Sequence, residues 1–198
     1  MVDLQELQKL SRKMNTPYKV QKFLRNLKYN REEKGDTMRS ALTAFKKKEA
    51  HCLEAALIAA CLLEQNGYKP LVMSLESQDQ LDHVIFIFKE RTGWGAVGRS
   101  REQGLHGREP RHKNLKSLAL SYVEPFIDKT GRITGFGVAK LDDSKTRWRD
   151  SSRNLWSLEK FLIDLRHQKL KTSDQKYLSL LQRFQETKLT IQKGPGWW

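Results

Sequence analysis

The chain has no P-loop, no dinucleotide-binding glycine pattern, and no CxxC, HExxH or EF-hand spacing, so nucleotide-cofactor and zinc chemistries have no motif to stand on. Its five histidines are scattered without ligand spacing, and neither a metal nor a cofactor is expected. Cysteine is scarce. The only two, Cys52 and Cys61, lie nine residues apart in a segment that reads as one helix, where their side chains diverge and a disulfide between them is not expected. Reduced thiols fit the cytosol. No run approaches the roughly 18 apolar residues of a membrane span. The opening MVDLQELQKLSRKM puts acids and amides where a signal peptide needs apolar residues. A cytoplasmic protein without membrane association is the expectation.

What is present suits one folded domain. At 198 residues, with 38% hydrophobic and 30% charged side chains, the chain is polar but able to bury a core. The net charge of +14 is uneven. Residues 1–50 hold 13 Lys/Arg against 6 Asp/Glu, residues 51–143 hold 12 against 12, and residues 144–198 hold 12 against 5. Basic flanks therefore bracket a neutral middle, which suggests at most weak, non-specific binding to anionic polymers.

Periodicity divides the chain the same way. Residues 3–13 and 17–28 read as short amphipathic helices, the second capped by Thr16 with Pro17 at its first position, and a third is expected from Thr37 to about Phe45. Residues 52–64 are apolar almost all round and are followed by Gly67, the pattern of a buried central helix with a left-handed stop. PLVMSL (70–75) and HVIFIF (83–88) read as strands, the second apolar enough to be covered on both faces. Arg91, Thr92 and Gly93 turn into a third strand, 94–100, and the Gly-, Pro- and Arg-rich residues 101–113 read as a loop. A short helix (115–122), a strand (133–141) and two terminal helices (154–166 and 173–188) follow. The closing GPGWW allows either a docked or a free tail.

The chemistry-bearing candidates are a thiol and an imidazole. Cys52 stands at the start of the central helix, where free N–H groups and the helix dipole favour a thiolate, whereas Cys61 lies in the apolar body of the same helix. His83 opens the apolar strand, and a strand packed on that helix brings an imidazole to its first turn. His51 is expected to project from the other side of the helix start.

The order HCLEAALIAACLL, then LDHVIFIF, then GWGAVGRS resembles the transglutaminase-like branch of the papain-like thiol enzymes over roughly residues 50–100, and more loosely to about residue 128. The whole chain is similar to uncharacterised bacterial transglutaminase-like proteins. The resemblance implies an α+β fold, with a central helix packed on an antiparallel sheet and flanked by N- and C-terminal helices (1–50 as a helical cap, 51–143 as the core, 144–198 as basic C-terminal helices). It implies Cys52 as nucleophile and His83 as general base. The family's third member, an Asp some fifteen residues past the histidine, is missing: the stretch reads AVGRSRE, and Ser100, opposite His83 across the turn, is the best uncharged substitute. Asp82 points to the opposite strand face, and Glu102 lies just beyond reach.

Trp94 is a candidate oxyanion donor, and Arg99, Arg101 and Arg108 are candidates to bind a carboxylate or phosphate on a substrate. Two functions follow as expectations. The first is a Cys-His acyl-transfer enzyme, an amide or ester hydrolase or an amine acyltransferase, working on a protein, peptide or small amide or ester substrate. The alternative is an inactive transglutaminase-like scaffold that binds nucleic acid or an acidic protein through its basic flanks.

Overall fold

A computed structural model describes residues 4–80, 82–127, 130–188, 194, 196 and 198. Two N-terminal helices, α1 (Leu4–Lys13) and α2 (Pro17–Arg25), lead through the short strand β1 (Lys28–Tyr29) to α3 (Ala41–Lys47), β2 (Glu49–Ala50) and the central helix α4 (Cys52–Glu64). Strands β3 (Leu71–Ser77), β4 (His83–Glu90), β5 (Gly93–Val97) and β6 (Arg108–His112) follow. The chain continues through α5 (Leu115–Leu120), α6 (Val123–Phe126) and β7 (Ile133–Lys140), and ends in α7 (Trp156–Ile163), β8 (Gln168–Lys169) and α8 (Asp174–Thr187). Among the described residues no helix is long and apolar enough to cross a membrane. The expected first helix began at residue 3, which lies outside the described residues.

Strands β3 to β8 form one antiparallel sheet in the order β6-β5-β4-β3-β7-β8, while β1 and β2 pair in parallel on their own. The sheet has a core on each face. Val84, Phe86 and Phe88 of β4 pack with α4 and the N-terminal helices, and the alternate residues Ile85 and Ile87 pack with Leu118, Ala119 and Tyr122. A strand covered on both faces has no polar side to show, hence the unbroken apolar run.

Helix α4 runs over residues 52–64 as expected, and its residues from Leu53 to Leu63 are all buried. Gly67, at φ +84°, supplies the left-handed residue that stops the chain from continuing the helix. At Gly93 a Cβ would stand 2.7 Å from the His112 carbonyl oxygen, so only glycine lets β5 pass so close to β6. Thr16 caps α2 by accepting from Lys19 N–H, with Pro17 at the first helical position.

Three expectations need correction. Helix α3 begins at Ala41, with Ser40 as its cap, and not at Thr37, because carboxylates of Glu32 and Glu54 hold the backbone N–H groups of Thr37 and Arg39 in an extended approach. The presumed loop 101–113 contains a short 3-10 turn (Gln103–Leu105) and the edge strand β6. An edge strand needs no apolar alternation and tolerates Pro110, which disguised it. Strand β5 leaves the ladder after Val97, short of the expected Ser100. The tail is docked: Trp198 stacks on Phe88 with centroids 5.8 Å apart and meets Tyr18 edge-on at 6.0 Å, while Gly196 O accepts from Glu109 N–H. The tail's other tryptophan, Trp197, lies outside the described residues.

Candidate active site

The first turn of α4 and the head of β4 meet in a cleft of about 1040 Å³, lined by Cys52 and His83 and also by His51, Tyr29, Ser100 and Leu105. Both cysteines are free thiols; Cys52 is partly exposed and Cys61 is buried. Their environments push them apart. Burial raises the Cys61 pKa to about 12. Burial opposes ionisation of Cys52 too, but the imidazoles of His51 and His83 outweigh it and lower its pKa to about 5.

His83 is held by a backbone group. Its Nε2 stands 2.8 Å from the Leu105 carbonyl oxygen, and because a carbonyl can only accept, Nε2 carries the proton and Nδ1 is left as the basic nitrogen. The ring centroid lies 6.0 Å from that of the buried Tyr122, which limits its tilt. The orienting position that the sequence reserves for Ser100 is thus filled by Leu105 O. Extending the observed register, Phe86 opposite Val97, would bring Ser100 opposite His83, but β5 has already left the sheet. Ser100 instead accepts from Glu102 N–H through its hydroxyl and from Arg99 through its carbonyl.

His51 belongs to the site, contrary to the sequence reading. As the N-cap of α4 it has an extended backbone (φ −83°, ψ −175°), so the 100° spacing of helical residues does not govern its side chain. Its Nε2 donates to Thr37 O at 3.0 Å and lies 3.6 Å from Glu54 Oε1 and 4.0 Å from Glu32 Oε1. Burial pulls its pKa down, yet Cys52, Glu54 and Glu32 together raise it to about 9. Near neutral pH the site therefore pairs a thiolate with an imidazolium.

Behind His51 stands a buried ion pair. Glu54 takes a two-pronged contact from Arg39, Nε to Oε1 at 2.6 Å and Nη2 to Oε2 at 2.9 Å, and also accepts from Arg39 N, Thr37 Oγ1, Asn30 Nδ2 and His51 N. Glu54 is fully buried. Burial raises its pKa, but Arg39 and His51 bring it below the ordinary carboxylate range. A depressed carboxylate contributes stability that is present above its unfolded pKa and lost as pH falls through its folded one, so this contribution disappears only on acidification below about pH 4. Glu54→Ala removes the buried partner of Arg39, which then keeps only Glu49, and urea unfolding at neutral pH is expected to show a loss approaching the roughly 3–5 kcal/mol of a broken buried pair.

Tyr29, also missed in the sequence, borders the cleft. Burial first, and then the negative charge of Cys52, raise its pKa to about 12, so the phenol stays protonated as a donor.

The remaining sequence candidates divide. Arg101 lines the cleft. Arg99 does not: its guanidinium donates to Ser100 O and Leu27 O and lies over the Tyr29 ring at 5.7 Å. Arg108 is fully buried, donating to the carbonyls of His106, Gly107, Gly104 and Ser121 with its guanidinium 3.8 Å from the Tyr122 centroid, which makes it a clamp for the 101–107 segment. Trp94 stands at the opposite end of β5, paired with Lys89 and with Lys89 Nζ above its ring at 5.8 Å. Among the described residues no group of His, Cys, Asp and Glu is placed to hold a metal ion.

Comparison of the sequence with models of known families finds no match, and comparison with curated proteins finds none either.

Proposed function

We propose that the protein is a Cys-His acyl-transfer enzyme built on a transglutaminase-like, papain-like core. The Cys52 thiolate attacks an amide or ester carbonyl, and the acyl group then passes to water or an amine. The observation that carries this reading is the placement of a thiol with its pKa lowered to about 5 in the wall of an open cleft, at the first turn of α4, beside His83 whose far nitrogen is fixed by Leu105 O.

The division of labour follows from the charges. His51, held cationic by Glu54 and Glu32, keeps Cys52 ionised. His83 takes the Cys52 proton on Nδ1 as the thiolate forms, gives it to the leaving amine or alcohol and, neutral again, deprotonates the incoming nucleophile at the same nitrogen. As the first helical residue, Cys52 also offers a backbone N–H that no intrahelical carbonyl takes, available to the oxyanion of the tetrahedral intermediate. A backbone carbonyl in the third position orients the imidazole but leaves its positive charge without a carboxylate counterpart. Arg101, alone of the three arginine candidates, keeps a place in the substrate cleft.

An activated ester tests this directly. p-Nitrophenyl acetate should release p-nitrophenolate with an initial burst approaching one equivalent and acetylate Cys52, and Cys52→Ala should abolish both. Release that persists in Cys52→Ala would remove the proposal.

A further inference from the structure

The charge of the cleft runs against the charge of the protein. With 37 Lys/Arg against 23 Asp/Glu the chain is strongly cationic, yet among the described residues the cleft is lined by no lysine and by only two arginines, Arg31 and Arg101, beside the His51 imidazolium. Carboxylates line it instead. Glu32, Asp36 and Glu159 stand on the His51 side, and Glu76, Asp79 and Asp82 on the β3–β4 side.

Glu159 is the informative one. It projects from α7, half-buried, and among the described residues no hydrogen bond or ion pair partners its carboxylate. Burial raises its pKa, and the negative charges of Glu32, Asp36 and Cys52 add to that effect against the opposing pull of His51. Among the described residues Asp36 likewise has no ion-pair partner, and Glu76 and Asp82 meet no lysine or arginine: Glu76 contacts Thr134, and Asp82 contacts Ser77 and feels His167. A fold with so many cations to spare has placed none of its described lysines or arginines against Glu159 or Asp36, on the wall that holds the nucleophile. Trp156, Ile163 and Phe184 add an apolar and aromatic rim, suited to the methylene stem of a lysine or the plane of a guanidinium.

We propose that the acyl donor of this site is cationic: a peptide or amide with a lysine or arginine side chain beside the carbonyl that Cys52 attacks, read by Glu159 and Asp36. The selection works at contact range, since the far field of the protein repels cations and charges beyond about 8 Å are screened at physiological salt. It rests on the reading of Cys52 as the acylated nucleophile. The same carboxylates make the cleft a poor seat for an anionic partner, so any binding of anionic polymers belongs to the basic flanks.

Matched methanethiosulfonates test the charge selection apart from the acyl chemistry. In a Cys61→Ala background, the Cys52 thiolate attacks the sulfenyl sulfur, a disulfide forms and methanesulfinate leaves, whichever of the 2-aminoethyl (cationic), methyl (neutral) or 2-sulfonatoethyl (anionic) reagents is used. The ratio of cationic to anionic rates should exceed that of N-acetylcysteinamide in the same buffer by about tenfold or more. It should fall toward the free-thiol ratio in Glu159→Gln/Asp36→Asn. A ratio at or below that of the free thiol, with Cys52 still reacting through a thiolate formed near pH 5, would overturn the cationic donor and leave the acyl-transfer reading standing. Failure of all three reagents to label Cys52 would sink both.

Discussion

His83→Ala is expected to acetylate itself once with p-nitrophenyl acetate and then stop. The first half-reaction needs a thiolate, and His51 still supplies the positive charge that maintains one; the leaving p-nitrophenolate is weakly basic and departs without a proton. The second half-reaction needs a base to activate water, and only His83, with Nε2 committed to Leu105 O, presents an open nitrogen for that purpose. Turnover should fall by about 10²–10⁴-fold, the usual contribution of a positioned acid-base group, while the burst survives. Stopped-flow release of p-nitrophenolate separates the phases. Equal loss of burst and turnover would reassign the activation of Cys52 to His83 alone.

The complementary variant is His51→Gln. Glutamine keeps a donor toward Thr37 O but cannot carry charge, so Cys52 loses a cation at close range. An opposite charge within about 4–6 Å is worth about 1–3 pK units, and the alkylation midpoint of Cys52 should move up by that amount. The sign is fixed by which form the cation favours: His51 stabilises the thiolate, so its removal favours the thiol. A control discriminates loss of charge from loss of fold. Because Glu54 remains paired with Arg39, urea unfolding of His51→Gln should resemble that of the parent far more than does Glu54→Ala. A midpoint unchanged by His51→Gln would remove the two-histidine description and return the site to a simple Cys-His pair.

The parts of the fold that were legible in the sequence are those whose burial is uniform. Helix α4 and strand β4 sit between other layers, so most positions are apolar, and 52–64 and the start at His83 could be placed directly. Strand β6 was not, because an edge strand that buries Arg108 and exposes Arg111 carries no alternating signal. The site divides in the same manner. Cys52 and His83 announced themselves by residue type and by their places at the ends of elements. Leu105 O did not, since a backbone carbonyl has no letter in the sequence, and the Ser100 register failed because the strand ends three residues early.

His51 was hidden by its cap conformation, which lies outside helical geometry. The acidic lining was hidden by segment arithmetic: Glu32 and Asp36 come from the basic N-terminal flank and Glu159 from the basic C-terminal one, and folding gathers these minority charges at one place.

The pH dependence of Cys52 alkylation bears most directly on the central claim. With Cys61→Ala, iodoacetamide modification should rise through a midpoint near pH 5 and then run flat to pH 8. Absolute rates mislead here. A thiolate of pKa about 5 is roughly 25–55-fold less nucleophilic than one of pKa about 8.5, so Cys52 should outpace free cysteine at pH 6, match it near pH 7 and fall behind above pH 8. That crossing profile is the predicted result. A rate that climbs with hydroxide through pH 8, as for an ordinary thiol, would contradict the account.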